Sequence, residues 1–174
     1  LSLAQQIKAV YFNKDYEPYG INRDREIKNM LIFKGIQVLS FKDHVIHEES
    51  EVLKKDGTPY TVFTPYKNCW LSQYHKMTAL PRANFSHLHQ IQHAMPSKNT
   101  LGIAASPIKV KKFSLSTLSE YKKNRDFPAA DATSYLGPHL RFGTVGVREV
   151  LTQLKASDDL FLSELIWREF FMQI

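Results

Sequence analysis

The chain has 174 residues, of which 43% are hydrophobic and 12% aromatic, and its formal net charge is +6 at pH 7. This composition supports a core in one domain or two small ones, and the single cysteine, Cys69, excludes an internal disulfide and favours a reducing, cytoplasmic location. No apolar run is long enough to cross a membrane, and the positive charge is compatible with nucleic acid as a partner.

The first part of the chain, residues 1–77, predicts the end of an α/β domain. Residues 8–13 and 36–42 are short runs rich in β-forming residues, and residues 21–34 between them have helical spacing that stops at Gly35. Strand, helix and strand in this order predict a βαβ unit of a Rossmann-like parallel sheet. Because two strands do not form such a sheet alone, we expect an internal fragment of a longer, multi-domain protein.

A further helix is predicted where a Thr-Pro pair follows a short extended stretch. Thr64 is a suitable N-cap, and Pro65 occupies the first turn, where proline is tolerated. Tyr66, Trp70 and Tyr74 then recur every four residues and share one face. We interpret this aromatic face as part of a core rather than as a cofactor site.

The second part of the chain has a different pattern. Residues 78–113 lack periodicity and are interpreted as an interdomain linker, whereas residues 114–174 predict an all-helical region. The Gly-Pro pair at 137–138 is expected to break a short helix. Thr144 and Ser157 are expected to cap the two helices that follow.

One face of the last helix carries a carboxylate, an indole and a guanidinium among apolar residues. The residues on this face are Glu164, Trp167, Arg168 and Phe171. Spacing alone favours an ion pair between Glu164 and Arg168, which are four residues apart. The other interpretation is a cavity wall, in which the carboxylate meets a base edge, as in an enzyme that flips its target out of the duplex.

Four segments of the sequence resemble the DNA photolyase/cryptochrome family. They are VYFNKDYEPYGINRD at residues 10–24, VFTPYKNCWL at 62–71, YKKNRDFPAADATSYLGPHLRFGTVGVREV at 121–150 and SELIWREFF at 163–171. They occur in the family's order and at compatible spacings, and they cover nearly the whole chain apart from the linker. The resemblance implies an antenna domain that ends at residue 77 and an all-α FAD-binding domain that starts at residue 114.

The resemblance implies that FAD is bound in the helical domain. Tyr121 matches an aromatic residue at the flavin, and Phe161 matches a position that packs against the cofactor. Arg168 matches an arginine that contacts the flavin. The matched phosphate-binding loop consists of Thr133, Ser134, Tyr135, Leu136 and Gly137. Hydroxyls and amides at a helix N-terminus are suitable anion ligands, although such a string is also a common helix start.

The resemblance also implies that UV-damaged DNA is the partner. Arg125 matches a residue near the lesion strand. Glu164 matches the glutamate that hydrogen-bonds the damaged pyrimidines, and Trp167 matches the aromatic residue that stacks on them. Glu164 and Trp167 are thus the implied catalytic residues, and Arg168 is the fourth implied DNA contact. Glutamate in this string is typical of members that repair cyclobutane pyrimidine dimers, whereas (6-4) photolyases and animal cryptochromes tend to have glutamine.

The implied reaction is a light-driven carbon–carbon bond cleavage by a photo-lyase. Reduced FAD absorbs blue light and donates an electron to the dimer, the ring splits and the electron returns, while Glu164 stabilises the dimer radical anion by hydrogen bonding. Two other functions stay open: a cryptochrome-type receptor that binds FAD without repair, and a basic DNA-binding module without flavin. We expect a monomer, and we expect these 174 residues alone neither to hold FAD nor to repair DNA.

The sequence does not decide the antenna chromophore. Folate-binding members have an Asn-Glu pair where this chain has Tyr19 and Gly20, which argues against folate and leaves deazaflavin, another antenna or none. The histidines His87, His89 and His93 have no cysteine or carboxylate at a familiar offset, so we expect no metal site.

Overall fold

The structure is a computed structural model that describes residues 7–48, 50–74, 84–88 and 94–173. Within these residues the strands are β1 (Ala9–Asn13) and β2 (Gln37–Phe41). The helices are α1 (Pro18–Phe33), α2 (Phe63–Tyr74), α3 (Tyr121–Asn124), α4 (Leu136–Arg141), α5 (Val147–Gln153) and α6 (Asp159–Gln173). Short 3-10 turns precede α3 at Leu118–Glu120 and α6 at Ala156–Asp158.

The βαβ unit predicted for the first part is confirmed. Strands β1 and β2 are parallel, with Ala9 opposite Gln37, and α1 connects them. Helix α1 begins earlier than predicted because Pro18 occupies its first turn, where the missing N–H is not needed. After the helix, Gly35 has a φ of +73°, a left-handed conformation that glycine adopts without a steric penalty.

Helix α2 begins two residues earlier than predicted, at Phe63 instead of Pro65, so Thr64 as its N-cap is wrong. Phe63 is already helical, and Thr64 lies in the first turn. The aromatic face interpreted as core is confirmed. Tyr66 and Trp70 are buried, and Trp70 stacks on Tyr74 with 5.0 Å between the ring centroids.

Three predicted helix boundaries in the second part are wrong. The Gly-Pro pair at 137–138 lies inside α4, in the first turn, where proline leaves no hydrogen bond unmade. Gly146 rather than Thr144 directly precedes α5. Before α6 the Asp158 carboxylate, rather than the Ser157 hydroxyl, accepts a hydrogen bond from a backbone N–H three residues earlier, at 2.8 Å.

One hydrophobic core joins α2 to the helices of the second part. Its buried members are Ile46, Val52, Tyr66, Trp70, Leu118, Leu136, Leu140, Val145, Val147, Val150, Leu151, Phe161, Leu165, Ile166 and Phe170. Fully burying a large apolar side chain of this kind contributes about 1.5–3 kcal/mol. Helix α2 therefore has its main packing partner in α6, while the domain boundaries at 77 and 113 stay a prediction.

The predicted linker is described at residues 84–88 and 94–113, where it contains neither helix nor strand. Its end contacts the helical part, because the Lys111 carbonyl pairs with the His139 ring at 2.9 Å. In the described part of the chain, no helix combines the length and the apolar character needed to span a membrane.

Candidate active site

Helix α6 carries Glu164 and Trp167 on a partly open face. The neighbouring Leu165, Ile166 and Phe170 are buried, so apolar packing fixes the helix. The Glu164 side chain keeps 33% of its surface exposed, and Trp167 is half-buried. The sequence therefore anchors the helix through its apolar residues and leaves the carboxylate and the indole accessible.

The Glu164 carboxylate forms an ion pair with Arg125 rather than with Arg168. Arg125 Nη1 donates to Glu164 Oε1 at 2.6 Å, across 39 positions of sequence. The i, i+4 ion pair that spacing favoured is therefore wrong, because Arg168 Nη1 donates instead to the carbonyl of His44 at 2.7 Å. The nearby Glu164 carboxylate raises the pKa of Arg125.

Two aromatic residues extend this ion pair into a contiguous group. The guanidinium carbon of Arg125 lies 5.6 Å from the centroid of the Tyr121 ring. Tyr121 meets Phe161 edge to face, with 5.2 Å between the ring centroids and 88° between the planes. Burial, followed by the nearby Glu164 charge, raises the pKa of Tyr121. We name Arg125, Glu164, Tyr121 and Phe161 the ion-pair cluster.

The indole of Trp167 is held by stacking. Its ring centroid lies 3.6 Å from that of Phe63 in α2, with 9° between the planes. Phe171, one turn along α6, stacks at 5.4 Å and 22°. Because Trp167 follows Glu164 by three residues, the fixed indole lies on the same side of α6 as the carboxylate.

The loop predicted to bind phosphates leads into α4 through an uncommon backbone conformation. Tyr135 has a φ of 53° and a ψ of 21°, the left-handed region that few residues other than glycine adopt. Its hydroxyl is hydrogen-bonded to Asp131 and accepts a bond from Lys111 Nζ at 2.9 Å. Lys111 also pairs with the Asp131 carboxylate at 3.2 Å. These contacts hold the loop at the surface.

The remaining residues of that loop border solvent, except Leu136, which is buried in the core. Thr133 is exposed, and the Ser134 hydroxyl accepts a long hydrogen bond from the Leu136 N–H at 3.4 Å. A Cβ atom added to Gly137 would meet no other atom within 4 Å. The loop therefore presents its hydroxyl groups beside open space at Gly137.

The predicted residue Arg168 lies outside the ion-pair cluster. Its guanidinium is partly buried, and burial lowers its pKa. In the described part of the chain its hydrogen bond goes to the segment that follows β2, through the His44 carbonyl. The structure thus connects Arg168 to the first part of the chain rather than to Glu164.

Two residues near the site were missed by the sequence analysis. Phe63 stacks on Trp167, and its only signal was its place at the start of the aromatic helix. Glu169 is 2% exposed, and burial raises its pKa. Its signal in the sequence was a second carboxylate within the apolar stretch of α6.

The histidines considered as metal ligands are not assembled into a site by the described residues. His87 is exposed, whereas His89 and His93 lie outside the described residues. Across residues 7–48, 50–74, 84–88 and 94–173, no group of three or more His, Cys, Asp or Glu side chains could hold a metal ion.

Known proteins match the chain along nearly its whole length. A family model described as DNA photolyase matches residues 2–84. The deoxyribodipyrimidine photo-lyase of Alkalihalophilus pseudofirmus is 33% identical over 192 residues, which cover 97% of this chain and 40% of that protein. The chain is similar to DNA photolyases, in its first part by the family model and along nearly its whole length by photolyase relatives. It spans about 40% of the length of this photolyase relative.

Solved photolyase structures share the fold. A class III photolyase from Agrobacterium tumefaciens has a TM-score of 0.65 and 25% identity, over 95% of this chain and 40% of that one. An archaeal photolyase from Sulfolobus tokodaii, solved with two FAD molecules, has the same TM-score of 0.65 and 25% identity, over 97% of this chain and 38% of that one. The α/β part followed by helices is thus a photolyase-type arrangement.

The two residues that argue against a folate antenna, Tyr19 and Gly20, lie in the first turn of α1. Tyr19 is exposed, and Gly20 is buried against Asp15. A Cβ atom at Gly20 would clash with the Asp15 side chain, so a larger residue requires this side chain to move.

Proposed function

We propose that the whole protein is a deoxyribodipyrimidine photolyase that repairs cyclobutane pyrimidine dimers in DNA under blue light. The observation that carries the proposal is the accessible Glu164 carboxylate, fixed by Arg125 at 2.6 Å and one helical turn from Trp167. This arrangement offers hydrogen-bonding oxygens beside an aromatic ring, which suits an extruded pyrimidine pair. Glutamate rather than glutamine at position 164 favours dimer repair.

Arg125 reduces the electrostatic cost of a carboxylate that faces DNA. Backbone phosphates repel an isolated carboxylate, and the ion pair offsets this charge. A carboxylate has about four acceptor positions. Glu164 can therefore accept hydrogen bonds from pyrimidine N–H groups while it stays paired, and the other guanidinium N–H groups of Arg125 are available to a phosphate.

The reaction requires no net oxidation or reduction. An electron enters the dimer, the two carbon–carbon bonds that join the pyrimidines break, and the electron leaves. When bound in its reduced form, FAD supplies this electron after absorbing light. During these steps Glu164 holds the pyrimidines by hydrogen bonds, Arg125 stabilises the added negative charge, and Trp167 supplies a stacking surface.

The helical part has suitable groups for FAD. Hydroxyl and amide groups of the loop from Thr133 to Gly137 are proposed to hold the phosphates, because they border open space at Gly137. Tyr121 and Phe161 are proposed as aromatic contacts of the flavin, and Arg168 as a charged contact. The net charge of +6 supports damaged DNA as the partner. The single cysteine supports an intracellular, reducing location. We propose that the enzyme is a monomer.

The test is repair by the full-length protein, with FAD bound and reduced, on an oligonucleotide that contains one thymine cyclobutane dimer. Chromatography of the digested DNA should show conversion of the dimer to thymines under blue light and no conversion in the dark. Bound FAD without loss of the dimer would reject the photolyase and favour a cryptochrome-type receptor. Full-length protein without flavin absorbance would reject both and favour a DNA-binding module.

A further inference from the structure

The segment after β2, residues 43–47, is hydrogen-bonded by side chains from the second part of the chain. Three side chains donate to its carbonyl groups. Arg148 donates to Asp43 at 3.2 Å and to Val45 at 3.0 Å, Arg168 to His44 at 2.7 Å, and Gln173 to His47 at 2.8 Å. The path of this segment is therefore determined by α5 and α6.

Glu169 binds the same segment through its N–H groups and also reaches α2. Its Oε2 accepts a hydrogen bond from the Ile46 N–H at 2.7 Å, and its Oε1 accepts one from the His47 N–H at 2.8 Å. Oε1 also accepts a bond from the indole Nε1 of Trp70 at 2.7 Å. One carboxylate thus connects three elements in the core.

The chemistry of this site requires a carboxylate. All three partners of Glu169 are donors, and an ionised carboxylate is an acceptor only. Glutamine in the same place would present an NH₂ group toward at least one of the buried donors. With Glu169 only 2% exposed, water cannot replace the missing acceptor.

Helix α2 contacts α6 along its length, through Tyr66 against Phe170 and Lys67 to Ser163 among others, and two of the contacts lie toward its two ends. Trp70 bonds to Glu169, and Phe63, two helical turns earlier, stacks on Trp167 at 3.6 Å. Residues seven apart lie on nearly the same face of a helix. A rotation or slide of α2 at Trp70 would consequently move Phe63 away from the indole of Trp167.

We propose that Glu169 is a positioning residue for the pyrimidine site, because its bond to Trp70 fixes α2 against α6 and keeps Phe63 stacked on Trp167. This inference rests on the proposed photolyase function. Glu169 lies on roughly the opposite side of α6 from Glu164 and acts through Trp70 and Phe63, without contact to the substrate.

The test measures the affinity of the full-length protein, with FAD bound, for dimer-containing DNA and for the same DNA without the dimer. Glu169→Gln and Trp70→Phe should each lower the ratio of these affinities by about tenfold, the change that corresponds to ~1.4 kcal/mol. A purely structural role would reduce the folded fraction but leave the affinity ratio of the folded protein unchanged. Trp70→Phe removes the bond to Glu169 but keeps an aromatic ring in the core. It therefore provides the test if Glu169→Gln does not fold.

Gln173→Leu provides the matched control. It removes a side-chain bond to the same segment, through the His47 carbonyl, without touching α2, so the affinity ratio should stay at the wild-type value. An unchanged ratio in Trp70→Phe, or an equal loss in Gln173→Leu, would overturn the role of Glu169. If wild-type protein neither prefers nor repairs the dimer, the proposed function fails instead.

Discussion

Arg125 and Glu164 lie 39 residues apart and form the ion pair that organises the candidate site, with 2.6 Å between Nη1 and Oε1. The pair connects the segment after α3 to the middle of α6. It brings Tyr121 and Phe161 into the same cluster. Tyr121 and Arg125 belong to one matched segment of the sequence and Glu164 to another, and the contact between the two segments is what the fold adds.

Replacement of Arg125 by glutamine should weaken binding to dimer-containing DNA. A hydrogen bond to a charged group contributes about 1.5–3 kcal/mol, so we expect at least about a tenfold rise in Kd. Fluorescence anisotropy with a labelled oligonucleotide measures this value. Arg23→Gln is the matched control, because it removes the same charge from the exposed surface of α1, where Arg23 pairs with Asp24. Equal losses in the two variants would attribute the effect to net charge alone.

Replacement of Phe63 by alanine should destabilise the protein, because it removes the ring stacked on Trp167. For this partly buried ring we expect a loss of about 2 kcal/mol in the free energy of unfolding, less than the ~3–5 kcal/mol of fully buried phenylalanines. Phe33 is 93% exposed, so Phe33→Ala should change the free energy by less than about 0.5 kcal/mol. Urea denaturation followed by circular dichroism measures both, and similar values for the two would contradict the packing described.

The left-handed backbone of Tyr135 can be tested by comparing two variants that both lack the phenol. Tyr135→Gly should be more stable than Tyr135→Ala by about 1 kcal/mol, because a Cβ atom is unfavourable at a φ of 53°. Thermal unfolding of the two proteins gives the difference. If the alanine variant is the more stable one, residue 135 does not have the described conformation.

The buried histidine His47 should make the protein sensitive to mild acid. Desolvation lowers the pKa of His47, despite the opposing effect of Glu51, so the unfolded chain binds a proton at a higher pH than the folded chain does. The contribution of His47 to the free energy of unfolding is therefore fully present above the unfolded pKa of about 6.5. It is lost as the pH falls below that value, by up to about 1.4 kcal/mol per pH unit.

The expected difference is in the slope of stability against pH. Between pH 7 and pH 5.5, the urea midpoint should fall more in wild-type protein than in His47→Gln. His87→Gln, at an exposed position, controls for loss of an imidazole. A steeper fall in His47→Gln than in the wild type would mean that the sign of the shift is reversed.

The local features of the fold could be predicted from the sequence, whereas the partners of its charged groups could not. The runs of β-forming residues around α1 determined the parallel βαβ unit, because these preferences act over a few residues. The partner of Glu164 was mispredicted because spacing reveals only neighbours along the helix. Glu169 was missed because all three of its donors are distant in sequence, and two of them are backbone groups, of Ile46 and His47, more than 120 positions away.

The helix caps failed for a related reason. Thr64, Thr144 and Ser157 each have a capping side chain, but the neighbouring backbone determines where the helix begins. At α5 the extended conformation falls on Gly146, with a φ of −80° and a ψ of 140°. A capping residue two positions too early then makes other contacts, as the Thr144 hydroxyl does with the His139 ring at 2.9 Å.

The central claim is that Glu164 acts on the pyrimidine dimer, and the quantum yield of dimer splitting tests it most directly. The measurement uses full-length protein with fully reduced FAD at saturating dimer-containing DNA, so that differences in affinity do not contribute. Glu164→Gln should lower the yield about tenfold, because the amide has one acceptor oxygen instead of two for the pyrimidine N–H groups and loses the ion pair that fixes Arg125, the cation that stabilises the added negative charge. Glu149→Gln, on the exposed face of α5, should leave it unchanged. An undiminished yield in Glu164→Gln would contradict the account.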